Sequence, residues 1–419
     1  MPVVLLLAAA VLSSAILFVQ GGHGDVSEPY VPPPADASRL SDPVTQLARR
    51  LRGGPAALRF DDRHGFLASL LRELRVPVSS QVLVFSKTSL QHEAITPRTP
   101  RALYFNDDVY VGFVPDGNVV ELSSVDPRIG AVFYTLPQTR GASLRLVTNV
   151  ECVQCHSAPA TLGVSGHLLR SVFVTADGRL APRVRSFLTD HRSPIEERWG
   201  GWYVTGSIEG HTHMGNAFLR SGEDDQTFDR APGSAITTVA GRFDSARYLS
   251  PDSDVVALMV LAHQVRMHNL IARLHRRAET GLPTGADVED LVRYMLFVDE
   301  APLNGAVTGS TTFAADFERL GPSDAQGRSL RQFDLRRRLF RYPCSYLIYS
   351  EAFRALPLPA RQNVYARLAA VLSGRDTTPA FARITSADRA AISEILTATD
   401  PSFAAAVAEP QSPTSSSAR

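Results

Sequence analysis

Lysine is almost missing from this 419-residue sequence, where Lys87 is the only one. The other basic residues are arginines, whose fixed charge and planar fork suit ordered pairing rather than amine catalysis, so Schiff-base mechanisms are disfavoured. Cysteine is scarce too. Cys152, Cys155 and Cys344 are the only three, too few for a disulfide scaffold. No excess charge of either sign exists: 43 basic residues stand against 42 acidic ones, for a net charge of +1. That balance supplies no field to gather nucleic acid, so no nucleic-acid partner is expected. No internal repeat is visible. What is present is a 44% hydrophobic content with mean hydropathy near zero, which gives enough material for a globular core and excludes both wholesale disorder and a polytopic membrane protein.

The longest uncharged apolar run lies at residues 3–19, followed by Val19-Gln20-Gly21 with the small residues a signal peptidase requires. Residues 1–21 therefore read as a signal peptide or an N-terminal anchor. The run is longer than a usual signal core and nearly long enough to span a bilayer, so membrane anchoring by 3–19 remains an alternative to cleavage. Export to the periplasm or beyond is expected in either case. Residues 22–42, with Pro32-Pro33-Pro34, read as a flexible linker.

Against this exported, cysteine-poor background, two cysteines stand in Cys152-Val153-Gln154-Cys155-His156. Cys-x-x-Cys-His is the attachment sequence for c-type haem. On a helical turn the cysteines and the histidine share a face, so two thiols can bond the porphyrin vinyl groups while the imidazole supplies the proximal iron ligand. The cofactor expected is one covalent haem c held by Cys152, Cys155 and His156. A thioredoxin-like dithiol would need a βαβ setting and a helix start, and does not require the histidine. A zinc site would need more ligands at finger spacing than the distant Cys344 offers. With only one such motif, the chain lacks the second attachment sequence of dihaem peroxidases and oxygenases.

A sixth iron ligand would separate electron carriage from catalysis, since a strong protein ligand closes the position that a substrate would take. Met214 and His213, in the glycine-bearing segment His211 to Asn216, are the first candidates for it. The second source is the apolar periodic run from Asp252 to Arg277, where Met259, His263 and Met267 form one stripe. His263 is a distal candidate there, although a histidine in such a stripe is more often a satisfied core residue. His167 is a third option. His191, between Asp190 and Pro194, reads as turn chemistry. Glu196 to Tyr203 holds both tryptophans and reads equally as a haem wall, with Arg198 on a propionate, or as ordinary packing.

Short amphipathic helices are expected at 43–52 and 62–75. β-branched and aromatic runs broken by turns then predict strands at Gln81–Phe85, Ala102–Phe105, Val109–Val114, Val119–Leu122 and Ala131–Leu136, and again at Ser171–Thr175 and Tyr203–Gly206. Asn106-Asp107-Asp108 and Pro115 to Asn118 between these runs predict an antiparallel meander. Beyond residue 250 the periodicity turns helical, over 254–277, 286–299, 361–373 and 387–397. The fold class expected is α+β, with an antiparallel sheet region before and around the haem motif and a mainly helical C-terminal half. The domains read as a β-rich haem-binding region at 43–250, a helical region packing on it at 251–400, and a disordered tail at 401–419.

Leu103 to Gly112, the haem motif, Asp190 to Gly206, His213 to Asn216 and Tyr342 to Phe353 together resemble a family of large, exported, single-haem cytochrome c-like bacterial proteins of uncharacterised activity. The resemblance spans roughly residues 43 to 400 and implies a covalent haem on Cys152, Cys155 and His156, with no further role transferred. Small cytochromes c place their motif near the start of a helical domain, whereas here a sheet precedes it. The function expected is electron transfer with a periplasmic donor or acceptor. A haem-dependent oxidoreductase of peroxidase or dehydrogenase type, with an open distal site, is the alternative, and a haem-based redox or gas sensor is the second alternative.

Overall fold

The turn residues set the sheet. In the computed structural model, which describes residues 39–53, 57–140, 147–148, 152 and 156–408, Asn106 Oδ1 accepts from the amides of Asp108 and Val109 at 3.0 and 2.9 Å. This Asx turn reverses the chain between β2 (Arg101–Phe105) and β3 (Val109–Phe113). Asp116, at φ 61°, and the Gly117 amide bonding back to Val114 turn it again into β4 (Val119–Asp126). Asp126 Oδ1 closes the next turn on the amides of Arg128 and Ile129, before β5 (Gly130–Pro137). With β1 (Val82–Val84) and β6 (Val147–Thr148) these strands form an antiparallel run, so the expected meander is observed. The short pair β7 (Arg170–Val172) and β8 (Ser186–Leu188) follows. β9 (Trp202–Tyr203) then returns to the main sheet, whose order is β6-β5-β4-β3-β2-β1-β9.

Alternation along the strands gives the sheet two buried faces. On one, Val111, Phe113, Leu122 and Tyr134 pack with Leu47 of α1 (Pro43–Gly53) and Leu70 and Leu71 of α2 (Leu67–Glu73). Asp42 caps α1, accepting from Val44 and Thr45, and its second oxygen accepts from the Tyr134 hydroxyl, which ties the helix to β5. The other face carries α3 (Val255–Glu279), capped by Asp254, whose Oδ1 accepts from Val256 and Ala257. α3 is long and apolar enough to cross a membrane, yet it is almost wholly buried as the core helix of the fold. α4 (Gly285–Met295), α5 (Phe313–Glu318), α6 (Leu358–Leu372) and α7 (Ser386–Thr399) belong to the same helical core, so the protein is α+β, with its sheet in the N-terminal half and mostly helices after it.

Several boundaries differ from expectation for local reasons. The second helix starts at Leu67 because Asp61 to Gly65 forms a closed turn, with backbone bonds in both directions between those two residues. Thr385 rather than Ser386 caps α7, in a capping box with Asp388. The tail expected from residue 401 begins instead with α8 (Pro401–Ala408): Asp400 Oδ1 accepts from Ser402 and Phe403, and the Phe403 ring is buried against Tyr365. The two regions divided at 250 are also joined by pairing, since β10 (Ser207–Ile208) bonds to β11 (Val307–Thr308). The leader at 1–21, most of the linker and the tail beyond 408 lie outside the described residues.

Candidate haem-attachment site

Cross-strand register determines what lies under the motif. Phe105, Tyr110, Ser123 and Phe133 face one another in a row across β2 to β5, and Leu103, Gly112, Glu121 and Thr135 form the next row on the same face. The first row is covered. Gln264 of α3 donates to the Tyr110 hydroxyl at 2.8 Å, and His167 lies against both Tyr110 and Phe133. In the second row Leu103, Glu121 and Thr135 are only half-buried.

The motif stands at the β5 end of this face. Cys152 packs on Ala131 and Phe133, and the His156 ring lies 4.6 Å from that of Phe133. Cys155 falls outside the described residues. His156 Nδ1 is 3.0 Å from the carbonyl oxygen of Gly166. A carbonyl only accepts, so the proton sits on Nδ1 and the lone pair on Nε2. Burial, the largest influence, holds the ring below the usual histidine value, which keeps it in the neutral form that binds metal. A ligating histidine is usually fixed through its other nitrogen in this way.

The Gly166 carbonyl is itself held in place. Its amide donates back to His156 O, while Asn269 of α3 clamps the next residue, with Oδ1 accepting from His167 N and Nδ2 donating to His167 O, both at 2.9 Å. A Cβ on Gly166 would collide with Asn269 Oδ1. Ser165 exchanges bonds with Ala131 of β5, and Arg276 of α3 donates to Gly163 O. The loop bearing the imidazole is thus fastened to the sheet and to the core helix. Periodicity carried no sign of this, since it depends on an amide side chain more than 100 residues away.

Met214, His213 and His263 lie in other surroundings, whereas His167 shares the Phe133 ring with His156. Met214 is fully buried among Phe173, Ala181 and Phe228, and its sulfur accepts from the Ser171 hydroxyl at 3.5 Å. His213 packs edge-on against Trp199, and its Nδ1 accepts from the Gly215 amide, so its proton is on Nε2; burial lowers its pKa to about 4. His263, pushed down to about 3 by burial, has Nδ1 bonded to His191 Nδ1 at 2.9 Å and Nε2 to Ser345 Oγ at 2.8 Å. His191 is accordingly a buried partner stacked on Tyr294 and Phe297, although Asp190 does shape the turn by accepting from Arg192 N. His167 bonds Ser123 Oγ through Nε2 at 2.6 Å, inside the interface between sheet and helix. Arg198 is buried and donates to the carbonyls of Ser193 and His191, which is a loop-holding role. Cys344 is fully buried, and burial pushes its thiol pKa up.

Sequence reasoning missed Arg101 and Glu121. They form an ion pair at 2.5 Å across the half-covered row, lying over Gly112, where any side chain would collide with the guanidinium. Both charges act on His156, the arginine lowering its pKa and the glutamate raising it. Among the described residues no three His, Cys, Asp or Glu side chains converge to hold a bare metal ion. A haem asks less of the chain, because the porphyrin supplies four of the iron ligands. Comparison of the chain with protein-family models, with curated proteins and with solved structures finds no match.

Proposed function

We propose that this chain is an exported monohaem c-type cytochrome-like protein that passes electrons between periplasmic partners. The observation that carries the reading is Cys152-x-x-Cys155-His156 together with an imidazole whose Nδ1 proton is spent on the Gly166 carbonyl, leaving the Nε2 lone pair to bind a metal. The residues fit the group: Cys152 and Cys155 would hold it covalently, His156 would ligate the iron, and the Phe133 ring would back the imidazole. The bound haem would supply a one-electron couple. The chain's part is to keep the imidazole neutral and oriented, and to surround it with apolar and paired groups that set the potential. The apolar run at 3–19 supports export, which would bring the chain to the compartment where covalent haem is attached.

The test is expression of the full chain in cells that mature c-type cytochromes, followed by haem staining of the denatured band. Wild type is expected to stain and the double variant Cys152→Ala, Cys155→Ala to stay blank. A colourless, iron-free wild type made in competent cells would sink the reading.

A second reading, a haem-dependent oxidoreductase with an open distal position, draws on one specific observation. Both nitrogens of His263 are engaged, Nδ1 of His213 is engaged, and the Met214 sulfur is packed in a separate apolar cluster. High-spin ferric iron in the resting protein would favour this reading, and low-spin iron the carrier.

A further inference from the structure

A guanidinium lies on the sheet face that bears the haem motif, and one of its donors is unspent. Arg101 pairs with Glu121 through Nη2, while its Nε is buried and has no partner. A buried, unpaired N–H carries a desolvation cost unless something accepts from it. Glu121 is shared in turn, since its Oε1 also accepts from the Gln91 side chain at 3.0 Å and from the Ser89 hydroxyl at 3.5 Å. The unspent N–H asks for a further acceptor, and a guanidinium suits a carboxylate best. Register gives its whereabouts. Glu121 faces Thr135, two residues along the same face from Phe133, whose ring touches that of His156. Gly112, between Leu103 and Glu121 in the row, leaves the space the guanidinium occupies.

We propose that Arg101 binds a carboxylate of the haem, one of its two propionates, with Glu121 as the counter-charge that fixes the guanidinium. The inference rests on the haem reading above and adds to it the chain's own anion site. Arg101 presents a fork matched to a carboxylate, which an ammonium would not reproduce. Glu121 keeps the fork pointed along the sheet and partly cancels its field at the iron. A cation beside the haem favours the reduced form and an anion the oxidised form, so the two side chains act on the midpoint potential with opposite signs.

The experiment uses the matured, haem-stained full chain and three variants, Arg101→Gln, Arg101→Lys and Glu121→Gln, each checked for an unchanged far-UV spectrum and followed by redox titration. Arg101→Gln is expected to shift the midpoint downward and Glu121→Gln upward, with Arg101→Lys nearer to wild type. A merely structural pair would move both variants in the same direction or not at all, and either result overturns the proposal. Titrating wild type with sodium acetate separates the two carboxylate sources: a midpoint indifferent to acetate supports the propionate, while one that follows acetate concentration overturns it in favour of a free anion. An unstained wild type would instead defeat the haem reading itself, an outcome distinguishable from stained protein with unmoved potentials.

Discussion

Replacing Asn269 by alanine should weaken the protein by about 2–4 kcal/mol. Its side chain is buried and makes two hydrogen bonds of 2.9 Å, one from His167 N and one to His167 O. Leaving the backbone N–H and C=O of His167 without partners costs about 1–3 kcal/mol for each group that water fails to reach, in place of the roughly 1 kcal/mol net worth of each bond. The alanine opens a space that lets some water in, so the lower half of the sum is the better expectation. The assay is urea unfolding followed by far-UV circular dichroism, with the change taken from the shift in midpoint at unchanged slope. Hydrogen exchange supplies the local readout, since the His167 and Gly166 amides should lose protection before those at the centre of α3. A stability change below about 0.5 kcal/mol, the range of an ordinary surface substitution, would refute the argument that this clamp holds the His156 loop.

Asp254→Ala should cost about 3–5 kcal/mol, because one carboxylate caps α3 and also accepts from Ser310 N, Thr311 N and Thr311 Oγ1; thermal melts of the variant check it. Glu300 is pushed up to about 7 by burial, so the fold holds it neutral while the unfolded chain ionises near 4.5. Its contribution is full below about 4.5 and is lost as the pH rises through about 7, so Glu300→Gln should flatten the fall in urea midpoint over that window. His213→Ala, His263→Ala and Met214→Leu should each leave the spin state of the matured ferric protein unchanged, given the partners those side chains already have; a shift from low to high spin in any of the three would identify that residue as the sixth ligand.

The sheet was legible because its turns are chemical. Asn106 and the Asp116-Gly117 pair announce reversals whose strands then alternate, and α3 declared itself by periodicity and by the cap residue Asp254. The short strands β6 and β9 were harder, since two residues carry no periodicity and their pairing is decided by tertiary contact. At the candidate site, the Cys-x-x-Cys-His spacing was readable because it is local in sequence. Its surroundings were not. The Gly166 carbonyl, the Asn269 clamp and the Arg101–Glu121 pair come from separate segments, and only the folded register brings them to one face. His191 shows the same limit: the turn around it could be read locally, but its bond to His263 crosses 72 positions of chain.

The strand order also bears on assembly. The chain leaves the main sheet at one edge, β6, and re-enters it at the opposite edge, β9, so everything between, Cys152 and His156 included, is a strap anchored on both sides of the sheet. Once β9 docks beside β1, the strap is fastened at both ends. Joining edges so distant in sequence is a slow, late step in folding. On the proposed haem reading, the interval before that closure would be the window for loading the cofactor, and a variant that hastens β9 docking would emerge from the cell as well-folded protein carrying less haem.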